Sequence, residues 1–208
     1  DPALRIDLLV ESDRDLVTLP PASIHQAEAA IGARVAALVP DGATIQTGVG
    51  GIPDAILDAL GGHRDLGVHS GLIGDRIKAL IEHGVVTGAA KSADAGLAIT
   101  NTIFGTAGLY RFADRNPRLR LVTPAHSHAF GAIAAQNRMM AINAALEVDL
   151  EGNVNSECID GMPIGGTGGL IDFVRGARAS PGGRAIVALR ATGRSPAVAR
   201  IVPRVAKV

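Results

Sequence analysis

Segments typical of buried strands alternate with segments of helical pattern along most of the chain, and glycine-rich turns separate them. The predicted strands are residues 43–47, 66–70, 97–104, 119–123, 185–189 and 198–202. Apolar residues at helical spacing predict helices at residues 24–39, 53–60, 75–84, 105–116, 129–137 and 170–178. Helices of about ten residues between strands favour an α/β fold: an open, mostly parallel sheet with helices on both faces.

Two local patterns refine this outline. Residues 140–150 alternate loosely, turn at Glu151-Gly152-Asn153 and return as Val154-Asn155, which predicts an antiparallel hairpin and makes the sheet mixed. Ser23 and Gln26 have the spacing of a capping box at the start of the first helix. A double proline precedes this helix and marks the end of residues 1–21, which we interpret as a linker or the end of a preceding half. We expect residues 22–208 to form one α/β domain.

Composition supports this fold and narrows the function. Hydrophobic residues make up 47% of the 208 residues but aromatics only 2%, so Ala, Val, Ile and Leu must build the core, as in buried parallel strands. Twenty basic and twenty acidic residues cancel, which argues against a nucleic-acid partner. No apolar run reaches the roughly 20 residues of a membrane helix, and we expect a soluble, cytoplasmic protein. The single Cys158 excludes an internal disulfide.

Two glycine loops are the first candidates for a binding site. Residues 165–169 contain four glycines and lead directly into a predicted helix, and Gly48-Val49-Gly50-Gly51 stands between a strand and a helix. Unpaired N–H groups at such a junction suit a developing oxyanion or a phosphate. A tight turn between strand and helix has the same pattern, so both interpretations stay open. Pro53 stands where a dinucleotide fingerprint needs its third glycine, so that site is not predicted.

The predicted topology brings these loops to one place. In open α/β sheets, ligands bind beyond the carboxyl ends of the strands. Both glycine loops follow strands, and so does the segment His69-Ser70-Gly71. We therefore expect the functional site at this edge of the sheet.

Five stretches, taken together and in order, resemble one family across nearly everything after residue 20. They are residues 40–46 running into 48–55, residues 65–70, residues 142–150, residues 166–169 with 172–173 and 175–177, and residues 195–203. The chain resembles the back half of a family I CoA-transferase of the acetyl-CoA hydrolase/transferase type, which includes 4-hydroxybutyrate and acetate CoA-transferases.

The resemblance implies two related α/β halves with the active site in the cleft between them. The partners it implies are an acyl-CoA, a small carboxylate, the N-terminal half of the same architecture and a second copy in a homodimer. Coenzyme A enters as substrate, and no permanently bound cofactor or metal is expected.

The family's chemistry suggests roles for specific residues. Members use a glutamate in the turn after the second strand as nucleophile, and it forms an enzyme-bound glutamyl-CoA thioester. Backbone groups of the glycine loops are expected at the thioester: Gly48, Val49, Gly50, Gly166, Gly168 and Gly169. Arg184 and Arg190 are candidates for the CoA phosphates.

This chain departs from the family at the nucleophile. The family pattern is His-Ser-Glu or Tyr-Thr-Glu, whereas the chain has His69-Ser70-Gly71, and a family asparagine falls at about Ala129. Three explanations stay open: the protein binds CoA thioesters without transferase chemistry, water or another group attacks directly, or an offset residue replaces the glutamate. His126 and His128 are candidate general bases for a water.

The other candidate nucleophiles have simpler interpretations. Glu147 lies in the predicted hairpin and is expected to be structural, and Asp75 is expected to cap a helix. Cys158 has no neighbouring sequence feature that would activate its thiol.

The sequence thus predicts an enzyme that handles acyl-CoA. It would exchange CoA between an acyl-CoA and a small carboxylate, or hydrolyse the thioester. The alternatives are a catalytically degenerate CoA-thioester-binding protein and a structural half-domain that serves assembly.

Overall fold

The computed structural model describes residues 6–159, 162–164, 168–193 and 198–205. Its helices are α1 Gln26–Ala36, α2 Gly51–Ala59, α3 Asp75–Glu82, α4 Ala107–Ala113, α5 Pro124–Ser127, α6 Phe130–Ala134 and α7 Leu170–Ala179. Its strands are β1 Thr44–Thr47, β2 Gly67–Val68, β3 Leu72–Ile73, β4 Ala98–Thr100, β5 Thr102–Ile103, β6 Leu119–Leu121, β7 Met139–Ala144, β8 Glu147–Asp149, β9 Val154–Asn155, β10 Cys158–Ile159, β11 Met162–Pro163, β12 Arg184–Ala188 and β13 Ile201–Val202.

A parallel sheet forms the centre of the fold. Its strand order is β12-β7-β1-β2, and every pair is parallel. A parallel bridge between His69 and Ile99 continues it to β4, which pairs in parallel with β6. The predicted α/β class with a mostly parallel sheet is confirmed.

Strand β7 shows that helices cover both faces of this sheet. Successive side chains of a strand point to opposite faces. Met139 and Ala141 pack in one cluster with residues of α6 and α7, among them Phe173. Met140 and Ile142 belong to the other, larger cluster, which contains residues of α1, α2 and α3. Burial on both faces explains why β7 has a nearly continuous apolar sequence.

The predicted hairpin is confirmed in its second half only. Strands β8 and β9 pair antiparallel, with Val148 opposite Val154. The residues before them form β7, a buried central strand, because their side chains fill both cores. In the turn, the Asp149 carboxylate accepts hydrogen bonds from the N–H groups of Val205, Glu151 and Asn153. The Val205 bond, together with those from Asn153 and Glu151, lowers the pKa of Asp149 to about 2.

Two further local predictions were wrong. The N-cap of α1 is His25, whose N–H donates to the Glu28 carboxylate at 3.1 Å, so Ser23 and Gln26 do not form the capping box. The predicted strand 97–104 bends at Asn101 into β4 and β5. The turn after β2 then contains β3, which pairs in parallel with β5.

Close contact between α1 and α2 yields a stability prediction. A Cβ added at Gly32 would lie 2.7 Å from the carbonyl carbon of Ala55 and closer still to its oxygen. In an exposed helix, Gly→Ala stabilises by about 1 kcal/mol. Here we expect Gly32→Ala to destabilise by roughly 1–3 kcal/mol, because backbone atoms of α2 cannot move aside as a side chain can.

Urea unfolding of the variant measures this change. Gly61→Ala is the matched control, because a Cβ at Gly61 meets nothing within 4 Å. Equal stability of Gly32→Ala and wild type would contradict the tight packing of α1 on α2.

Candidate active site

A cavity of about 720 Å³ lies at the carboxyl ends of β1 and β7. The turn after β1 contributes Gly48 and Val49 to its wall, and the start of α7 contributes Gly168 and Gly169. Gly71 and His128 complete the part of the wall between these two turns. The structure thus brings residues from three predicted segments to one space.

The amides of the two glycine turns have no hydrogen-bond partner among the described residues. Within the described part of the chain, the N–H groups of Gly48, Val49, Gly168 and Gly169 donate to no other described residue. The ladder between β1 and β7 ends before Gly48, and α7 begins after Gly169, so neither element uses these groups. Gly166 lies outside the described residues.

Gly50 faces a different space from the one predicted. With a φ of 115°, it is the N-cap of α2 and lines a neighbouring cavity of about 430 Å³. Val49 lines both cavities. Asp54 and Asp75 are among the residues that line the neighbouring cavity, and burial raises the pKa of Asp54.

His69 and Ser70 are buried and do not line the cavity. Their exposed fractions are 0% and 2%. Nε2 of His69 lies 3.0 Å from the carbonyl oxygen of Ser127, which can only accept, so Nε2 carries the hydrogen. Burial, and then the charge of Lys91, lower the pKa of His69 to about 4. The ring is therefore neutral at physiological pH and holds the end of α5 in place.

The ring of His128 lies between Gly71 and Gly169. A Cβ added at Gly71 would be 2.8 Å from Cε1 and 2.9 Å from Nε2 of this ring, and one at Gly169 would be 2.6 Å from Cδ2. Its Nδ1 lies 2.9 Å from the hydroxyl oxygen of Ser127, and the edge of Phe173 packs against it at 5.0 Å between centroids. The ring occupies space that a side chain at position 71 would need.

Polar groups that the sequence analysis missed also face this cavity. Gln46 and Asn143 exchange two side-chain hydrogen bonds, of 3.1 and 3.2 Å, across the ends of β1 and β7. Oδ1 of Asn101 is buried without a described partner, 3.5 Å from the Cβ position of Gly71. A glutamine inside a strand predicted to be buried was the available signal for the first pair. Asn101 interrupts a predicted strand, which was a weaker signal.

Several predicted residues lie elsewhere. Arg184 is exposed and is the first residue of β12. The carboxyl end of β12 is the end on the cavity side, so Arg184 lies at the opposite end of the strand. Arg190 forms an ion pair with Glu28 at 2.9 Å. Neither is among the described residues around the cavity, and the phosphate-binding role predicted for them gains no support from these positions.

The candidate nucleophiles Glu147, Asp75 and Cys158, and the candidate general base His126, also lie outside this cavity. Glu147 accepts a hydrogen bond from the Asn155 side chain within the hairpin, and Cys158 is buried. Asp75 was expected to cap a helix, but the N-cap of α3 is Gly74. The carboxylate of Asp75 instead accepts a hydrogen bond from the N–H of Thr106, at the start of α4. His126 pairs with Asp94 at 3.3 Å. Among the described residues, no three His, Cys, Asp or Glu side chains come together as a metal site.

The acetyl-CoA hydrolase/transferase C-terminal domain matches residues 105–208, which is half of the chain. The chain belongs to this family. It is 38% identical to the 4-hydroxybutyrate coenzyme A transferase of Clostridium kluyveri over 95% of its own length and 46% of that protein. It is 35% identical to the succinyl-CoA:cyclohexane-1-carboxylate CoA transferase of Geobacter metallireducens, over 97% of the chain and 46% of the relative.

Solved structures show the same relationship. The 4-hydroxybutyrate CoA-transferase of Porphyromonas gingivalis superposes with a TM-score of 0.84 at 35% identity, covering 94% of this chain and 46% of that one. RipA from Yersinia pestis gives a TM-score of 0.87 at 35% identity, over 91% and 43% of the two chains. The present chain therefore spans less than half the length of these relatives.

Because His69 is buried in its neutral form, we expect the stability of the protein to fall at acid pH. Its pKa is about 4 in the folded state and 6.5 unfolded, so the unfolded chain binds the extra proton between these values. The stabilisation is present above pH 6.5 and is lost as the pH falls toward 4. Between pH 7 and pH 4.5 we expect this group to remove roughly 2–3 kcal/mol of unfolding free energy.

Comparison of wild type with His69→Gln by urea unfolding at both pH values isolates the effect. Glutamine keeps an N–H donor for the Ser127 carbonyl but does not titrate. The variant should lose less stability on acidification than wild type, by about that amount. Parallel pH profiles for the two proteins would show that His69 is not the group responsible.

Proposed function

We propose that this domain carries the acyl-binding part of an enzyme that transfers CoA between carboxylates or releases it from an acyl-CoA. The observation that supports this most is the meeting of two glycine turns, at Gly48–Val49 and Gly168–Gly169, on one cavity with their N–H groups unbonded to described residues. Family membership and the activities of the two CoA transferases named above point to the same class of substrate.

The chemistry of a thioester explains why such amides would matter. Attack on the carbonyl carbon puts negative charge on the carbonyl oxygen. Fixed backbone donors stabilise that charge, and removal of one donor costs about 3–4 kcal/mol in other enzymes. The cavity volume, about 720 Å³, is within the usual range for ligand sites and suits the acyl and pantetheine end of the substrate.

In this proposal coenzyme A is a substrate and no cofactor stays bound. The partners are an acyl-CoA, a small carboxylate, the N-terminal half of the architecture and a second copy of the protein. We place the enzyme in the cytoplasm. In the described ranges, no helix combines the length and apolar character needed to cross a bilayer.

A second candidate function is CoA-thioester binding without turnover. Position 71 has no side chain to act as nucleophile, and this observation favours the binding protein. Asp172, exposed on the first turn of α7, is the one carboxylate among the described residues around the cavity.

Turnover and binding assays on the full-length protein separate the two functions. Isothermal titration calorimetry with CoA and acetyl-CoA measures binding, and thiol release from acetyl-CoA, with and without added butyrate, measures turnover. We expect binding together with release of CoA or formation of butyryl-CoA. Binding without either product would select the second function, and absence of binding and turnover would reject both.

A further inference from the structure

The wall of the cavity contains one imidazole, His128, which is closely packed against Gly71, Gly169 and Phe173. His128 lies between the Cα atoms of Gly71 and Gly169, and any side chain larger than hydrogen at either position would overlap the ring. Phe173 packs against the ring, edge to face at an interplanar angle of 67°. Such confinement keeps the ring in one orientation, which is a requirement of general-base catalysis.

The two ring nitrogens have different surroundings. Nδ1 lies 2.9 Å from the Ser127 hydroxyl, which is also 3.5 Å from the carbonyl oxygen of Thr123. If the hydroxyl turns its hydrogen toward Thr123, it accepts the Nδ1–H of His128. Nε2 is then the unprotonated nitrogen, and it has no hydrogen bond to a described residue.

Ser127 also connects His128 to the buried His69. Its carbonyl oxygen accepts the Nε2–H of the buried His69 at 3.0 Å. Because Ser127 has an exposed fraction of 0%, both of its contacts are shielded from water. His69 and Ser127 are therefore positioning residues for the His128 ring.

Other groups around the cavity are less suited to activate a water. His128 is the one imidazole among its described residues, and a neutral imidazole has one ring nitrogen that can accept a proton. Asp172 lies in the exposed first turn of α7. The ring lines the same cavity as both glycine turns and its Nε2 lies close to Gly169, which places a base next to the candidate oxyanion site.

We propose that the enzyme hydrolyses acyl-CoA, with His128 as the general base. This proposal rests on the proposed function, because it takes an acyl-CoA as the substrate. It selects hydrolysis over transfer, since the attacking group is water and not a carboxylate of the protein.

The reaction proceeds in two steps. The oxygen of a water molecule bonds to the thioester carbonyl carbon while its proton passes to Nε2 of His128, and the carbonyl oxygen becomes an oxyanion held by the glycine amides. The carbonyl then re-forms, the carbon–sulfur bond breaks, and the Nε2–H proton passes to the departing thiolate. The products are a carboxylic acid and free CoA, and His128 returns to its starting state.

The test compares the wild-type full-length protein with His128→Gln and His126→Gln in thiol release from acetyl-CoA. Loss of a general base typically lowers kcat by about 10²–10⁴-fold, and this is the loss expected for His128→Gln. Calorimetry should give a Kd for CoA within about threefold of wild type, because the base acts on water. His126→Gln, on the same short helix but outside the described residues around the cavity, should keep wild-type kcat.

Chemical rescue distinguishes catalysis from a structural role. Free imidazole should restore thiol release to His128→Gly, and should not accelerate His126→Gly. Gly71→Ala provides a second route, because its methyl group would press on the ring, and it should lower kcat while CoA still binds.

The outcomes distinguish a failure of the His128 proposal from a failure of the proposed function. If wild type releases CoA and His128→Gln does so equally well, or if Asp172→Asn alone loses activity, the general base is not His128 and only the present inference fails. Formation of butyryl-CoA in place of acetate and free CoA would also overturn it. If wild type neither binds nor cleaves acetyl-CoA, the proposed function fails as well.

Discussion

The parallel pairing of β7 with β1 and β12 is the constraint on which the site depends. Its register sets Thr47 opposite Ile142 and Ala144 opposite Ala188, so the carboxyl ends of the three strands lie at one edge. Helix α7 packs on β7 through Phe173 and Ala177, and this places the Gly168–Gly169 turn over the end of that strand. Neither glycine turn alone forms a cavity. The sheet brings them together because this register holds the carboxyl ends of β1, β7 and β12 at the same edge.

Local signals in the sequence predicted most of this frame. The periodicity of apolar residues predicted β1, β2, β12, α2, α3 and α7, because it reflects which face of each element is buried. Glycines at the turns between these elements predicted where they end. The direction of the strands then placed the glycine turns at one edge. Boundaries were less predictable, as α1 shows: its start depends on Glu28, which also pairs with Arg190 on another element.

The interior of the site was not predictable from local patterns. The bend at Asn101, the Gln46–Asn143 pair and the insertion of His128 between two glycines all arise from residues far apart in sequence. The resemblance to CoA-transferases led to the prediction that position 71 is the important departure. It could not show which atoms fill the space there. His69 and Ser70 had been expected in the cavity, but His69 bridges Ile99, the N–H of Ser70 donates to the carbonyl oxygen of Ile99, and both residues are buried.

The contact between position 71 and His128 also constrains how such a site can change. A chain with a side chain at both positions would be overfilled, and a chain with a small residue at both would contain a void. Single substitutions therefore pass through one of these two defects, while an exchange at both positions avoids them. In relatives, glycine at one position should accompany a large residue at the other, so the pair would be inherited as a unit, and each member's effect would depend on its partner.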